Sequence, residues 1–162
     1  MERVYRQGAV GALMDEYEKA ISELKRCIED IPDKDLTLVV DTTTTDLNCK
    51  SVQTILSHVV SSAYSYAVNV QKLNRYSFVR PDKTFHFTVK EYIRDLTDAF
   101  RFTATVFEDI KDAELEQFDN SAKISTSWGQ VYDIEQMMEH AIVHVLRHRR
   151  QIEKFKIALR KF

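Results

Sequence analysis

The chain has 162 residues, of which 44% are hydrophobic and 30% charged, so its composition is that of a folded globular protein and not of a disordered one. A formal net charge of −2 excludes a global attraction to nucleic acid. Only three glycines and two prolines interrupt the chain, which favours long helices over many short strands. The length predicts a single domain, residues 1–162, that buries its core without disulfides.

The first helical segment carries apolar residues at spacings of three and four, which predicts one buried stripe along a helix. The segment ends at Ile31, because Pro32 disfavours the helical conformation of the residue before it. A long loop rich in threonine, a poor helix former, follows. The stripe consists of Val10, Leu13, Met14, Tyr17, Ala20, Ile21, Leu24 and Ile28.

Two further amphipathic segments follow in the middle of the chain. The second runs from near residue 51 to about residue 73 and contains His58 close to its apolar face. The third opens with Thr88 and Glu91, whose spacing of three predicts a capping box, and it ends near Ile110.

The fourth segment begins after Asp133, a candidate N-cap with Gln136 three residues later, and it continues to the end of the chain. The loop before it, residues 111–132, is long enough to contain a small hairpin. Four long amphipathic segments around one core predict an all-α four-helix bundle. The connections after the first and third helices are long enough to be crossovers.

Three histidines recur every four residues in the fourth segment, and a helical wheel separates them. His148 lies in the middle of the apolar stripe, His144 lies on its flank, and His140 lies at its edge. His58, which follows a buried position of the second segment by three, also tends toward the core. We therefore expect the side chains of His144 and His148 to meet that of His58 between two facing helices, with His140 at the rim.

This pattern has a metal-binding and a plain packing interpretation. Two histidines at i and i+4 on one helix face can share an ion, and helical bundles commonly build such sites from facing helices. Three nitrogens suit zinc, nickel, copper or iron(II), and the sequence does not choose among them. The alternative is that these are ordinary core histidines that bind nothing.

The stretch "HAIVHVLRHRRQI" resembles the C-terminal helix signature of the DinB/YfiT-like superfamily. Arg150 stands where the signature usually has glycine. "SVQTILSHVVSSAYSY" resembles the second helix of that family, with His58 at its characteristic histidine, and "SWGQVYDIEQMMEH" resembles the lead-in to its last helix. The matching signature positions are His140, His144, His148, Arg149, Gln151 and Ile152.

The resemblance implies an up-down-down-up four-helix bundle, often a homodimer, that holds a divalent metal through one histidine of the second helix and two of the fourth. By position these are His58, His144 and His148. Some members of the family transfer low-molecular-weight thiols or are thiol-dependent isomerases. The resemblance thus favours a metal-dependent enzyme acting on a small thiol or another small molecule, with His140 or Tyr66 able to orient a ligand or move a proton.

Two alternatives remain open at this stage. One is a metal-binding or stress-associated bundle without catalysis, and the other is an interaction bundle without metal. The charged N-terminus, the absence of a long apolar run and the two widely spaced cysteines predict a cytoplasmic protein with neither a membrane nor a nucleic-acid partner.

Overall fold

Four α-helices and one small hairpin make up the protein in the computed structural model, which describes residues 4–73 and 79–160. The hairpin lies between the third and fourth helices, as the sequence predicts, and pairs β1 (Ile124–Ser125) with β2 (Val131–Tyr132) in antiparallel register. The predicted all-α class is confirmed. The helices are α1 (Gly8–Ile28), α2 (Val52–Leu73), α3 (Val89–Phe107) and α4 (Ile134–Leu159).

The relative directions of the helices follow from side-chain contacts. Each pair of neighbouring helices makes such contacts at two positions along its length. In the α1–α4 pair and in the α2–α3 pair, the contacting residues advance in the same direction along both helices, so α1 is parallel to α4 and α2 to α3. Helix α2 is antiparallel to α4, which gives the predicted up-down-down-up order. The contacts are Glu23–Arg149 and Asp30–Lys156 between α1 and α4, Ser57–Tyr92 and Tyr64–Phe102 between α2 and α3, and His58–His148 and Tyr66–His140 between α2 and α4.

Because α2 and α3 are parallel, their connection must return along the bundle. Residues 79–88 make this return along α2: Arg80 contacts Ser61, and the backbone carbonyl of His86 accepts a hydrogen bond from Gln53. The longer connections after α1 and α3, which the sequence identified as candidate crossovers, each join helix ends at one end of the bundle. The lengthwise crossover is therefore the α2–α3 connection.

Each helix presents one apolar side to a shared core and a polar side to solvent, as its sequence period predicts. The helices within residues 4–73 and 79–160 lack the length and apolar content that crossing a membrane requires. The largest fully buried side chains include Tyr17, Leu24, Ile55, Leu56, Tyr92, Leu96, Met137, Met138 and Ile152.

Two predicted caps fix the starts of α3 and α4. The Thr88 hydroxyl accepts a hydrogen bond from the backbone N–H of Glu91 at 3.3 Å. The Asp133 carboxylate accepts one from the backbone N–H of Gln136 at 2.8 Å, while the Gln136 side chain accepts one from the backbone N–H of Asp133, which completes a capping box. The two caps therefore determine where α3 and α4 begin.

Candidate metal centre

The side chains of His58, His144 and His148 converge between α2 and α4. One ring nitrogen from each lies within 4.8 Å of the other two. The Nε2 atoms of His58 and His144 are 2.9 Å apart, and the rings of His144 and His148 are 4.5 Å apart between centroids. We call these three residues the histidine cluster. It consists of the three residues that the sequence selected, and it can hold a metal ion.

The spacing of the nitrogens fits one tetrahedral ion. Nitrogen ligands about 2.0–2.1 Å from zinc lie about 3.4 Å from one another. The separations in the cluster, 2.9 Å for one pair and at most 4.8 Å for any pair, bracket that distance.

The three histidines differ in their exposure to solvent. His148 is buried, with 4% of its surface accessible, whereas His58 and His144 are partly buried and border an open cavity. The helical wheel predicts this order, since it places His148 mid-stripe and His144 on the flank. An ion held by the cluster would therefore have protein on one side and an accessible cavity on the other.

A hydrogen bond to Gln151 orients the ring of His148. Its Nδ1 lies 3.1 Å from the amide oxygen of Gln151, which can only accept, so Nδ1 carries the proton. That tautomer leaves the lone pair of Nε2 available to a metal. The Gln151 amide nitrogen in turn donates a long hydrogen bond of 3.5 Å to the backbone carbonyl of Cys49. This contact connects His148 and Gln151 to the loop before α2.

Burial keeps the cluster neutral. Desolvation, followed by repulsion from His148, lowers the pKa of His58 from 6.5 to about 4. Desolvation, followed by repulsion from His148 and His58, lowers the pKa of His144 to about 2, and desolvation also lowers that of His148. Neutral imidazole is the form that binds metals.

His144 also has an unsatisfied polar atom. Its Nδ1 is buried and has no hydrogen-bond partner in the described chain, while its Nε2 faces the Nε2 of His58. Without an ion, one of these two facing nitrogens must carry a proton to avoid opposing lone pairs. A cation at the centre of the cluster would accept both lone pairs at once, so the donor set fits a metal.

His140 lies outside the histidine cluster, at the rim of the site, as its position on the helical wheel predicts. Its ring stacks on Trp128 at 5.4 Å and 24° and lies 6.3 Å from the ring of His144. Its Nδ1 lies 3.4 Å from the hydroxyl of Tyr132, and desolvation lowers its pKa. The ring of Tyr66 lies 5.4 Å from that of His140 and 5.6 Å from that of His144. These aromatic contacts form one wall of the cavity.

A cavity of about 690 Å³ opens beside the histidine cluster, in a groove between α2 and α4. Polar side chains of α2, among them Ser62, Ser65 and Asn69, form one side of it. Trp128, from the turn of the hairpin, covers one end and meets Tyr66 edge to face. A ligand in this groove would lie directly against the cluster.

Two residues that sequence reasoning missed lie at the end of this groove next to His148. Asp46 and Cys49 come from the loop before α2, and the Cys49 thiol donates to the Asp46 carboxylate at 3.4 Å. Burial raises the pKa of Cys49, so it is a protonated thiol at neutral pH and not an activated nucleophile. The loop has no sequence period that relates it to α4, so no signal places these residues beside His148.

His86 is the one histidine that lies on the far side of α2 from the groove, between the returning segment and α3. Its side chain is 13% exposed, its Nε2 lies 2.5 Å from Asp95, and its ring packs edge to face on Tyr92. The Tyr92 hydroxyl also accepts the backbone N–H of His86. His86 therefore fastens the returning segment onto α3 and takes no part in the cluster.

No protein-family model matches the chain, and no curated protein or solved structure matches it. Membership of the DinB/YfiT-like superfamily thus stays a prediction from the sequence motifs.

Proposed function

We propose that this protein is a DinB-like, divalent-metal-dependent enzyme whose metal is held by His58, His144 and His148. The observation that carries the proposal is the convergence of three neutral imidazoles, from two helices, within 4.8 Å. Zinc or nickel suits such nitrogen ligands best, and iron(II) or copper are the further candidates. Three protein ligands leave a coordination position open, as catalytic sites do and closed structural sites do not.

When bound, such an ion lowers the pKa of a coordinated thiol or water and so makes a nucleophile at neutral pH. The protein's own residues orient and shield that reaction. Gln151 holds the His148 ring in its ligating tautomer, and Trp128 and Tyr66 line one side of the groove. His140, kept neutral by desolvation, offers a proton acceptor at the rim.

The reaction class we favour is the transfer of a small-molecule thiol to an electrophile. The sulfur forms a bond to the electrophilic carbon, the leaving group departs with its electron pair, and the thiol proton passes to a base or to water. Cys49 is protonated and bonded to Asp46, so it does not compete as the nucleophile. A groove of about 690 Å³ accommodates both small reactants.

Turnover assays test the catalytic part of the proposal. Protein loaded with zinc or nickel is incubated with a panel of small thiols and electrophiles, beside the His148→Ala variant. We expect thiol-dependent consumption of at least one electrophile by the wild type and its loss in the variant. Equal rates for the two proteins across the whole panel would contradict an enzymatic function.

A second candidate, a metal-binding or stress-associated bundle without catalysis, is favoured by the burial of His148. An ion held between α2 and α4 would crosslink two helices of the core. Any ligand that binds only the folded state raises stability by mass action. Removal of the metal with a chelator would then lower the melting temperature strongly, in a protein that shows no turnover.

A further inference from the structure

The groove beside the histidine cluster carries an excess of positive charge. Lys72, Arg80 and Arg147 line it, whereas Asp46 is the single carboxylate among its lining residues in the described chain. None of the three cations forms an ion pair with a carboxylate of residues 4–73 or 79–160, although other surface arginines, such as Arg101, do. Clefts lined by one sign of charge attract ligands of the opposite sign.

Two of these cations flank the cluster, one on α4 and one on the segment that returns along α2. Arg147 directly precedes His148 on α4 and lines the same groove. Arg80 reaches the groove from the returning segment, where its Nη1 donates to the Ser61 hydroxyl at 2.7 Å. Ser61 lies three residues after His58, so the Arg80 guanidinium group contacts α2 about one helical turn from His58 along the helix axis.

This arrangement favours an anion. A divalent ion in the cluster and the two guanidinium groups would repel one another, and a negatively charged ligand group between them would relieve that repulsion. Guanidinium groups bind carboxylate and phosphate through paired, charge-assisted hydrogen bonds. A ligand with such a group would neutralise both arginines while its other end faces the metal position.

We propose that the groove binds a small molecule carrying a carboxylate or phosphate group, which Arg80 and Arg147 hold beside the histidine cluster. This inference rests on the proposed function, since it defines the substrate class of the metal-dependent reaction. The anionic group anchors the substrate between the two arginines, and the reacting atom lies at the open coordination position. Lys72, farther along α2, binds an anionic group at the far end of longer ligands.

The protein contains its own reporter for this binding. Trp128 is the single tryptophan of the chain, and it lines the same groove. Its fluorescence is titrated with succinate, with inorganic phosphate and with uncharged 1,4-butanediol at constant ionic strength. Zinc-loaded and chelator-treated protein are compared, as are the Arg80→Gln, Arg147→Gln and Arg101→Gln variants; Arg101 is a matched arginine on α3, outside the groove.

We expect saturable binding of succinate or phosphate, tighter with zinc, and no saturation with butanediol. Loss of one charge-assisted contact weakens binding by about tenfold, so Arg80→Gln and Arg147→Gln reduce the affinity while Arg101→Gln leaves it unchanged. The preferred anion distinguishes a carboxylate from a phosphate substrate. Equal affinities in all variants, or equal binding of butanediol, would overturn the anion site.

The same titrations separate this inference from the proposed metal function. Arginine-dependent anion binding in protein that takes up no zinc would overturn the metal function alone. Zinc uptake without arginine-dependent anion binding would overturn the anion site alone. Circular dichroism of each variant confirms that it is folded, and the double variant Arg80→Gln/Arg147→Gln removes both contacts without touching a histidine.

Discussion

His148 is the most firmly held residue of the histidine cluster. It is 4% exposed, its ring packs against those of His58 and His144, and its Nδ1 is fixed by Gln151. The sequence predicts the position of His148 from the helical period, because a residue in the middle of an apolar stripe must face the core. The role of Gln151 could not be predicted in the same way, since it depends on the side-chain rotamers of two residues three apart.

Removal of the Gln151 side chain should weaken metal binding without abolishing it. In Gln151→Ala the ring of His148 loses the acceptor that fixes its tautomer, and such outer contacts are worth about 10–100-fold in metal affinity. Competition with a chromophoric chelator measures the change. Gln151→Glu, which keeps an acceptor oxygen, should retain most of the affinity, and an unchanged affinity in Gln151→Ala would show that the contact does not orient the ligand.

At the scale of the elements, the centre depends on how α2 and α4 are started and oriented. The apolar period predicts all four helices, and the local motifs at Thr88 and Asp133 predict where α3 and α4 begin. The location of the crossover could not be predicted, because helix direction depends on tertiary contacts such as that of Ser57 with Tyr92. Loop length alone favoured the connections after α1 and α3, whereas residues 79–88 make the return.

Loss of the α4 cap should destabilise the bundle measurably. Asp133 is 7% exposed, and its carboxylate accepts the N–H of Gln136, so Asp133→Ala leaves that first-turn N–H without its capping partner. We expect a loss of about 1 kcal/mol in the free energy of unfolding. For a domain of this size that corresponds to a fall of about 2–4 °C in melting temperature. Asp133→Ser preserves a cap and should lose less; equal losses in both variants would argue against capping as the cause.

At the scale of the whole molecule, the fold gathers residues that are far apart in sequence around one groove. His58, His144 and His148 could be predicted to meet because helical period and bundle packing together determine which residues face each other. Arg80 and Trp128 could not, because they reach the groove from segments without periodic sequence. The site predicted from the sequence therefore contained the candidate metal ligands. It lacked most of the groove-lining residues that would contact a substrate.

The buried histidines should make the metal-free protein acid-sensitive. The pKa of His58 is lowered to about 4 and that of His144 to about 2, against 6.5 in an unfolded chain. Below about pH 6.5 the two histidines bind protons in the unfolded state but not in the folded state. Their contribution to the free energy of unfolding is therefore fully present above pH 6.5 and is lost as the pH drops from about 6.5 toward 4. Urea denaturation of chelator-treated protein at several pH values measures this slope.

The double variant His58→Gln/His144→Gln provides the control for that slope. It removes both titrating rings, so its stability should depend less on pH over the same range. The remaining slope reports the carboxylates and other groups that the two proteins share. Identical slopes for wild type and variant would show that the two histidines are not the source of acid sensitivity.

The metal content of the untagged, purified protein tests the central claim most directly. Elemental analysis of the wild type and of single alanine variants gives the amount of each divalent metal per chain. The histidine cluster predicts an equimolar ion in the wild type, its loss in His58→Ala, His144→Ala and His148→Ala, and its retention in His140→Ala, whose ring lies outside the cluster. A folded wild type that holds no metal after incubation with zinc or nickel, or a His148→Ala variant that holds as much as the wild type, would contradict it.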